Sequence, residues 1–173
     1  SYLADQTRES VRVAKDHGFV PLAIHQPNYS MLNRWIENGL MDVCGELGLG
    51  MIAFCPLFQG LLTDKYLGDG TAGRAQSRFS LPDGQLNQKA LDTLRGLNDI
   101  AQQRGQTLAQ MAIQWILRDD VVTSALIGAS RPEQLDQNLA ATEGAPFDDD
   151  ELARIDALSG AIDVDLWADS ANA

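Results

Sequence analysis

Cysteine is scarce, with two thiols (Cys44 and Cys55) in 173 residues. Two cysteines do not make a disulfide framework, and the simpler reading is a reducing, cytoplasmic setting. Long apolar runs are also missing. No stretch approaches the about 18 consecutive apolar residues that a spanning helix needs, so no membrane role is expected. No charged-then-apolar leader stands at the start, so no secretory signal is read. Bases are few, 13 Lys and Arg against 24 Asp and Glu, which gives a net charge of −11. That balance argues against nucleic acid as a partner. The acidity is uneven, because Glu143 to Ala173 holds nine acids and one base, leaving −3 for the other 142 residues. A small phosphorylated ligand near one well-placed arginine remains compatible with such a tail, because local geometry decides that.

Apolar residues make up 45% of the chain, enough for a core, and the length suits one domain. Asp5 is a plausible N-cap for a helix running to His17, with Gly18 as its stop. Val20 to Gln26 reads as a short buried strand ended by Pro27, and Trp35 to Leu47 as a helix. Gly50 to Cys55 is the next strand, closed by Pro56. The order α-β-α-β favours a parallel sheet covered by helices. From Leu57 to Leu86 the pattern dissolves into a glycine-rich loop carrying Lys65, Tyr66, Arg74 and Arg78. A loop of that length in a compact domain is usually functional or disordered. Asn87 to Arg104 is an amphipathic helix, and Thr107 with Gln110 forms a capping box for a helix from Leu108 to Leu117. A third strand spans Val121 to Ile127. A last helix begins at Asp148, with Glu151 completing its capping box and Phe147 stapled to Leu152. Cys44 reads as core packing, and His17 as a cation suited to a helix C-terminus.

The third strand stops at Gly128 and runs directly into a helix. Ser130 and Glu133 have the spacing of a capping box, and Pro132 sits in the first turn, where its missing N–H costs nothing. Such a junction presents backbone N–H groups and a positive dipole end, a site suited to phosphate. Arg131 adds a forked cation, and Gln134, Gln137 and Asn138 follow at helical spacing. The plain alternative is an ordinary strand–helix junction with a polar outer face.

Three parallel strands leave two open edges, an aggregation liability for a free-standing domain. Parallel barrels need eight strands, so the chain reads as the later part of something larger.

Several stretches carry a family resemblance. The segments are His25-Gln-Pro-Asn-Tyr-Ser-Met-Leu-Asn-Arg34, Phe54-Cys-Pro-Leu-Phe-Gln-Gly-Leu-Leu-Thr-Asp-Lys-Tyr66, residues 101–112 and Ile127-Gly-Ala-Ser-Arg-Pro-Glu-Gln-Leu-Asp-Gln-Asn138. In this order they cover nearly the whole chain and resemble the second half of an aldo-keto reductase. The nearest branch is the bacterial glyceraldehyde-3-phosphate reductase type, itself similar to potassium-channel β-subunits. The resemblance implies the C-terminal portion of a (β/α)8 TIM barrel, an α/β fold. About three parallel strands (barrel strands six to eight) with covering helices would form residues 1–173, a single partial domain. The first half of the barrel would be the missing partner.

By the same resemblance the cofactor is NADP. Gln26 would bond the nicotinamide carboxamide, and Phe54 would stack on the ring. Cys55, Pro56, Leu57 and Gly60 would line the pyrophosphate, with Cys55 standing where serine is more usual. Lys65 and Arg78 would close over it. Gly128, Ser130 and Arg131 would take the 2′-phosphate, and Gln134, Gln137 and Asn138 the adenosine end, with Gln137 in place of a common glutamate. Taken singly, Gln26 could be a strand-end polar group, Phe54 a core aromatic, and Lys65 and Arg78 solvated charges. His25 and Tyr29 lack acid–base partners and are left out of the site.

The family's Asp, Tyr, Lys and His belong to strands and loops that precede residue 1, so no catalytic residue and no metal ligand is assigned here. The expectation is an NADPH-dependent reductase of aldehydes or ketones as parent, with this chain supplying the cofactor-binding half and inactive alone. A non-catalytic NADP-sensing module is the rival. A small carbonyl substrate is implied, and a homo-oligomer is left open.

Overall fold

A computed structural model describes residues 1–67 and 88–160. In chain order the elements are α1 (Ala4–Asp16), β1 (Ile24–His25), α2 (Leu40–Leu47), β2 (Gly50–Phe54), α3 (Gln88–Gln103), α4 (Leu108–Ile116), β3 (Val122–Leu126), α5 (Pro132–Leu139) and α6 (Asp149–Ser159). The three strands form one open, wholly parallel sheet in the order β1-β2-β3. Helices cover one face, as an arc of a parallel β/α barrel requires, and the sequence expectation of three parallel strands holds.

Strand alternation sorts the residues between the two faces. Met51 and Ala53 are fully buried and, with Val122, meet Leu97, Met111 and Trp115 in one core beneath the helices. Ile52 pairs with Ser124 and Phe54 with Leu126 on the helix-free face, where Ile24 is 48% and Leu126 52% exposed. The β2–β3 register slips by one residue after Met51, so Thr123 is bulged out. A Cβ built on Gly50 would lie 2.6 Å from Thr123 Oγ1, which explains glycine at that position.

Several boundaries differ from the sequence expectation. The buried strand Val20–Gln26 is corrected to two paired residues, Ile24–His25, with Val20 87% and Leu22 45% exposed. A strand extends only as far as its neighbours do, and among the described residues β1 has a neighbour on one side only. Trp35–Leu47 is not one helix, because a 3₁₀ turn at Trp35–Glu37 is separated from α2 by Gly39 at φ 92°. A left-handed residue breaks the ladder, and glycine adopts it at little cost. α1 is capped at Leu3 rather than Asp5, with the Leu3 N–H donating to Gln6 Oε1 at 2.9 Å. The capping boxes at Thr107 and Asp148 form as expected.

Candidate functional site

Because all three strands run the same way, their carboxyl ends lie at one edge of the sheet. Pro27 and Asn28 continue β1 alongside β2: the Phe54 N–H donates to Pro27 O (2.9 Å) and the Tyr29 N–H to Phe54 O (3.3 Å). Phe54 in turn pairs with Leu126. Gln26, Phe54 and the Ile127–Arg131 segment therefore stand side by side, the outer two about 10 Å apart at two strand spacings. Gln26 is exposed and Phe54 half-buried.

The chain leaving β2 turns sharply. Cys55, Phe58 and Gln59 take left-handed φ values of 57°, 46° and 56° although none is glycine. Each such residue stores about 1–3 kcal/mol, and clusters of them favour functional loops. The turn is held by the buried Phe58, Leu61 and Leu62 and by Leu57 O, which accepts from Gly60 N–H (2.9 Å) and Leu62 N–H (3.1 Å). Cys55 is half-buried, and burial pushes its thiol pKa up, so it stays protonated. Pro56 is buried and has no N–H, so it shapes the loop without offering a donor. Lys65 is exposed just beyond this turn, and its N–H lies 3.4 Å from Thr63 Oγ1. Arg78 lies outside the described residues, as does Arg74.

At the third strand end the expected Ser130–Glu133 capping box is corrected. The N-cap is Arg131, in extended conformation and with no side-chain cap bond, and Pro132 opens the helix. Ser130 is instead drawn to Gln134. Its N–H and its Oγ–H both donate to Gln134 Oε1, at 3.1 and 3.2 Å. With Arg131 as the N-cap, Gln134 rather than Glu133 is the N3 residue, the position from which a side chain reaches back over the helix N-terminus.

Arg131 is exposed and makes no ion pair among the described residues. A Cβ built on Gly128 meets nothing within 4 Å, so the space above this strand end is open. The three amides do not share one environment. Gln134 is half-buried, Gln137 is exposed, and Asn138 is 5% exposed with Nδ2 buried and unpartnered. An unsatisfied buried amide of this kind calls for a partner. An unpaired cation and an open strand end at one helix N-terminus, with an orphaned donor in the last turn of the same helix, suit an anionic ligand with polar groups beyond its charge.

Sequence reasoning passed over the cluster that anchors the loop after β1. Tyr29 is fully buried; its hydroxyl donates to Glu37 Oε1 (2.7 Å) and accepts from Arg118 Nη1 (2.9 Å). Arg118 stacks 3.7 Å over the Trp115 ring, and Arg34 pairs with both Glu37 and Asp156. Burial pushes the Tyr29 hydroxyl pKa well above its usual range, so it serves as a fixed strut. Only the Arg34–Glu37 spacing hinted at this in the sequence. Asn28, also overlooked, is buried beside Phe54 with Oδ1 unpartnered. Among the described residues no three His, Cys, Asp or Glu side chains gather as a metal site, and no helix is long and apolar enough to cross a membrane.

The profile of the aldo/keto reductase family matches residues 3–159. The L-glyceraldehyde 3-phosphate reductase of Escherichia coli K12 is 44% identical across 99% of this chain and 51% of its own length. A putative voltage-gated potassium channel subunit beta of Schizosaccharomyces pombe is 33% identical over 76% of this chain and 40% of its own. Protein tas of Escherichia coli K12 is 34% identical over 86% of this chain and 43% of its own. The chain spans about half the length of the curated relatives it matches.

Proposed function

The chain belongs to the aldo/keto reductase family, and from that premise we propose that its parent protein reduces aldehydes or ketones with NADPH, this chain holding the cofactor. The observation that carries the reading is the meeting of three parallel strand ends at one edge, with the unpaired Arg131 at the last of them. NADPH would supply a hydride to the carbonyl carbon of a small substrate. Gln26 would fix the nicotinamide face through its carboxamide, and Phe54 would support the ring. Backbone groups of Cys55, Leu57 and Gly60 would face the pyrophosphate, with Pro56 shaping the turn and Lys65 and Arg78 closing over it. Gly128, Ser130 and Arg131 would receive the 2′-phosphate, and Gln134, Gln137 and Asn138 the adenosine end. For that, Gln134 must release Ser130, whose two donors it now occupies. The proton for the carbonyl oxygen would come from the other half of the barrel, because Tyr29 is locked between Glu37 and Arg118.

Arg131→Ala tests the cofactor assignment. Losing a hydrogen bond to a charged group costs roughly 1.5–3 kcal/mol, so NADPH should bind about 10- to 150-fold more weakly while NADH changes little. Equal losses for both cofactors would remove the 2′-phosphate from this site.

The rival reading is a non-catalytic NADP-sensing module, favoured by the likeness to a protein named as a channel β-subunit. Tight NADPH binding by the full-length protein, without turnover on a broad aldehyde panel, would select it.

A further inference from the structure

We propose that Gln134 is a specificity-determining latch that keeps simple anions away from the end of β3. Its side-chain carbonyl holds both hydrogen-bond donors of Ser130. A 2′-phosphoadenosine group takes those donors and gives the displaced amide an adenosine to bond, whereas a bare phosphate takes them and gives nothing back. This rests on the reading of the third strand end as the 2′-phosphate site.

Donors are scarce where β3 meets α5, because Pro132, the first helical residue, has no N–H to offer. The Ser130 N–H and Oγ–H are two of the groups left, and one atom takes both. Gln134 Oε1 accepts from them at 3.1 and 3.2 Å. Two donors converging on one oxygen, one residue from the Arg131 cation, is the arrangement a phosphate oxygen would take. Gln134 reaches it as the third residue beyond the Arg131 N-cap. Ser130 and Arg131 are exposed and Gln134 is half-buried, so one side-chain rotation opens the latch to an anion from solvent.

Opening costs the same whichever anion arrives, and what differs is the recovery. Two neutral hydrogen bonds at an exposed site weigh about fivefold in an equilibrium, at the lower end of their range. Inorganic phosphate recovers none of that factor. A ligand with adenosine attached recovers it, because Gln134 begins a helical face that Asn138 continues one turn on. An independent feature of that face calls for a ligand. Asn138 is 5% exposed, and its Nδ2 is buried without a hydrogen-bond partner. A buried donor of this kind needs an acceptor, which the ring nitrogens of adenine supply.

The test titrates two probes, inorganic phosphate and 2′-AMP, by calorimetry into the full-length protein and its Gln134→Ala and Gln134→Glu variants. Gln134→Ala should bind inorganic phosphate at least about fivefold more tightly, the weight of the latch. It should bind 2′-AMP equally or more weakly, since the adenosine contact goes with the side chain. Glutamate keeps an acceptor over Ser130 and adds a like charge, so Gln134→Glu should bind inorganic phosphate at least about tenfold more weakly. A side chain that only stapled the helix end would not move the two variants in opposite directions. Inorganic phosphate bound equally or more weakly by Gln134→Ala would overturn the proposal. So would 2′-AMP tightened in that variant by the same factor as phosphate, because no exchange would then occur. Either result leaves the phosphate-site reading standing. Absence of 2′-AMP binding in all three proteins would sink that reading and the latch with it.

Discussion

Arg104 offers a quantitative test of how the helical layer is held. Its side chain is 5% exposed and paired with Glu151 at 2.5 Å. It also donates to Gln106 (2.9 Å), to Gln114 (3.1 Å) and to the Ala145 carbonyl, and lies 3.9 Å over the Phe147 ring. One residue thus ties the α3–α4 junction to the entry of α6. Arg104→Met keeps the volume and removes every polar contact. Breaking a buried pair from one side costs about 3–5 kcal/mol. The lower end applies here, because the Glu151 side chain is 20% exposed and keeps the Asp148 N–H. The stacked ring adds about 0.5–2 kcal/mol. A loss near 4 kcal/mol is a large share of the about 5–15 kcal/mol available to a domain. With a urea slope of about 2 kcal/mol/M, the midpoint should fall by about 2 M. Adding Glu151→Leu should recover part of the loss, since removing both charges spares the unpaired carboxylate. A single variant costing below about 1 kcal/mol, or a double costing the full sum of both singles, would refute this account.

Two further predictions concern the strut behind β1. Tyr29→Phe deletes a hydroxyl shared by Glu37 and Arg118 and should cost about 2–3 kcal/mol in urea unfolding; a change within about 0.5 kcal/mol, the scale of a neutral surface substitution, would contradict it. Burial raises the Glu37 carboxyl pKa, but hydrogen bonds from Arg34 and Tyr29 and the charges of Arg34 and Arg118 outweigh it, holding it below the ordinary carboxylate range. A depressed folded-state pKa adds stability that is full above the unfolded value of about 4.3 and fades as pH falls through the folded one. Melting from pH 7 to 3 should therefore drop less steeply in Glu37→Gln than in the parent; parallel acid limbs would exclude this group as a contributor.

What was legible in the sequence was local. The apolar runs of β2 and β3, the stripe of α3 and the Thr107 and Asp148 capping boxes depend on residues a few positions apart, and each formed where expected. The errors came from competition at longer range. β1 was read too long because apolar composition says nothing of whether a second neighbour exists. The Ser130–Glu133 spacing misleads because the helix starts one residue later, at an Arg131 N-cap, which makes Gln134 the N3 residue that reaches back to Ser130. The Tyr29–Glu37–Arg118 cluster was invisible because its members are up to 89 positions apart. The resemblance named candidate cofactor residues that physics alone would have left as strand-end polar groups. The structure adds the left-handed turn at Cys55 and Phe58–Gln59 and the burial of Asn138, neither of which composition or spacing can signal.

The central claim is that three strand ends form one NADPH groove. Its most direct test is the hydrogen-exchange footprint of NADPH on this chain, alone and combined with the relative's first-half polypeptide. Slowed exchange at Gly128 to Arg131 and at Leu57 to Gly60 is predicted, weaker at the first segment with NADH. No footprint in either sample, or one confined to the Leu117–Phe147 side of α4 and α6, would contradict it.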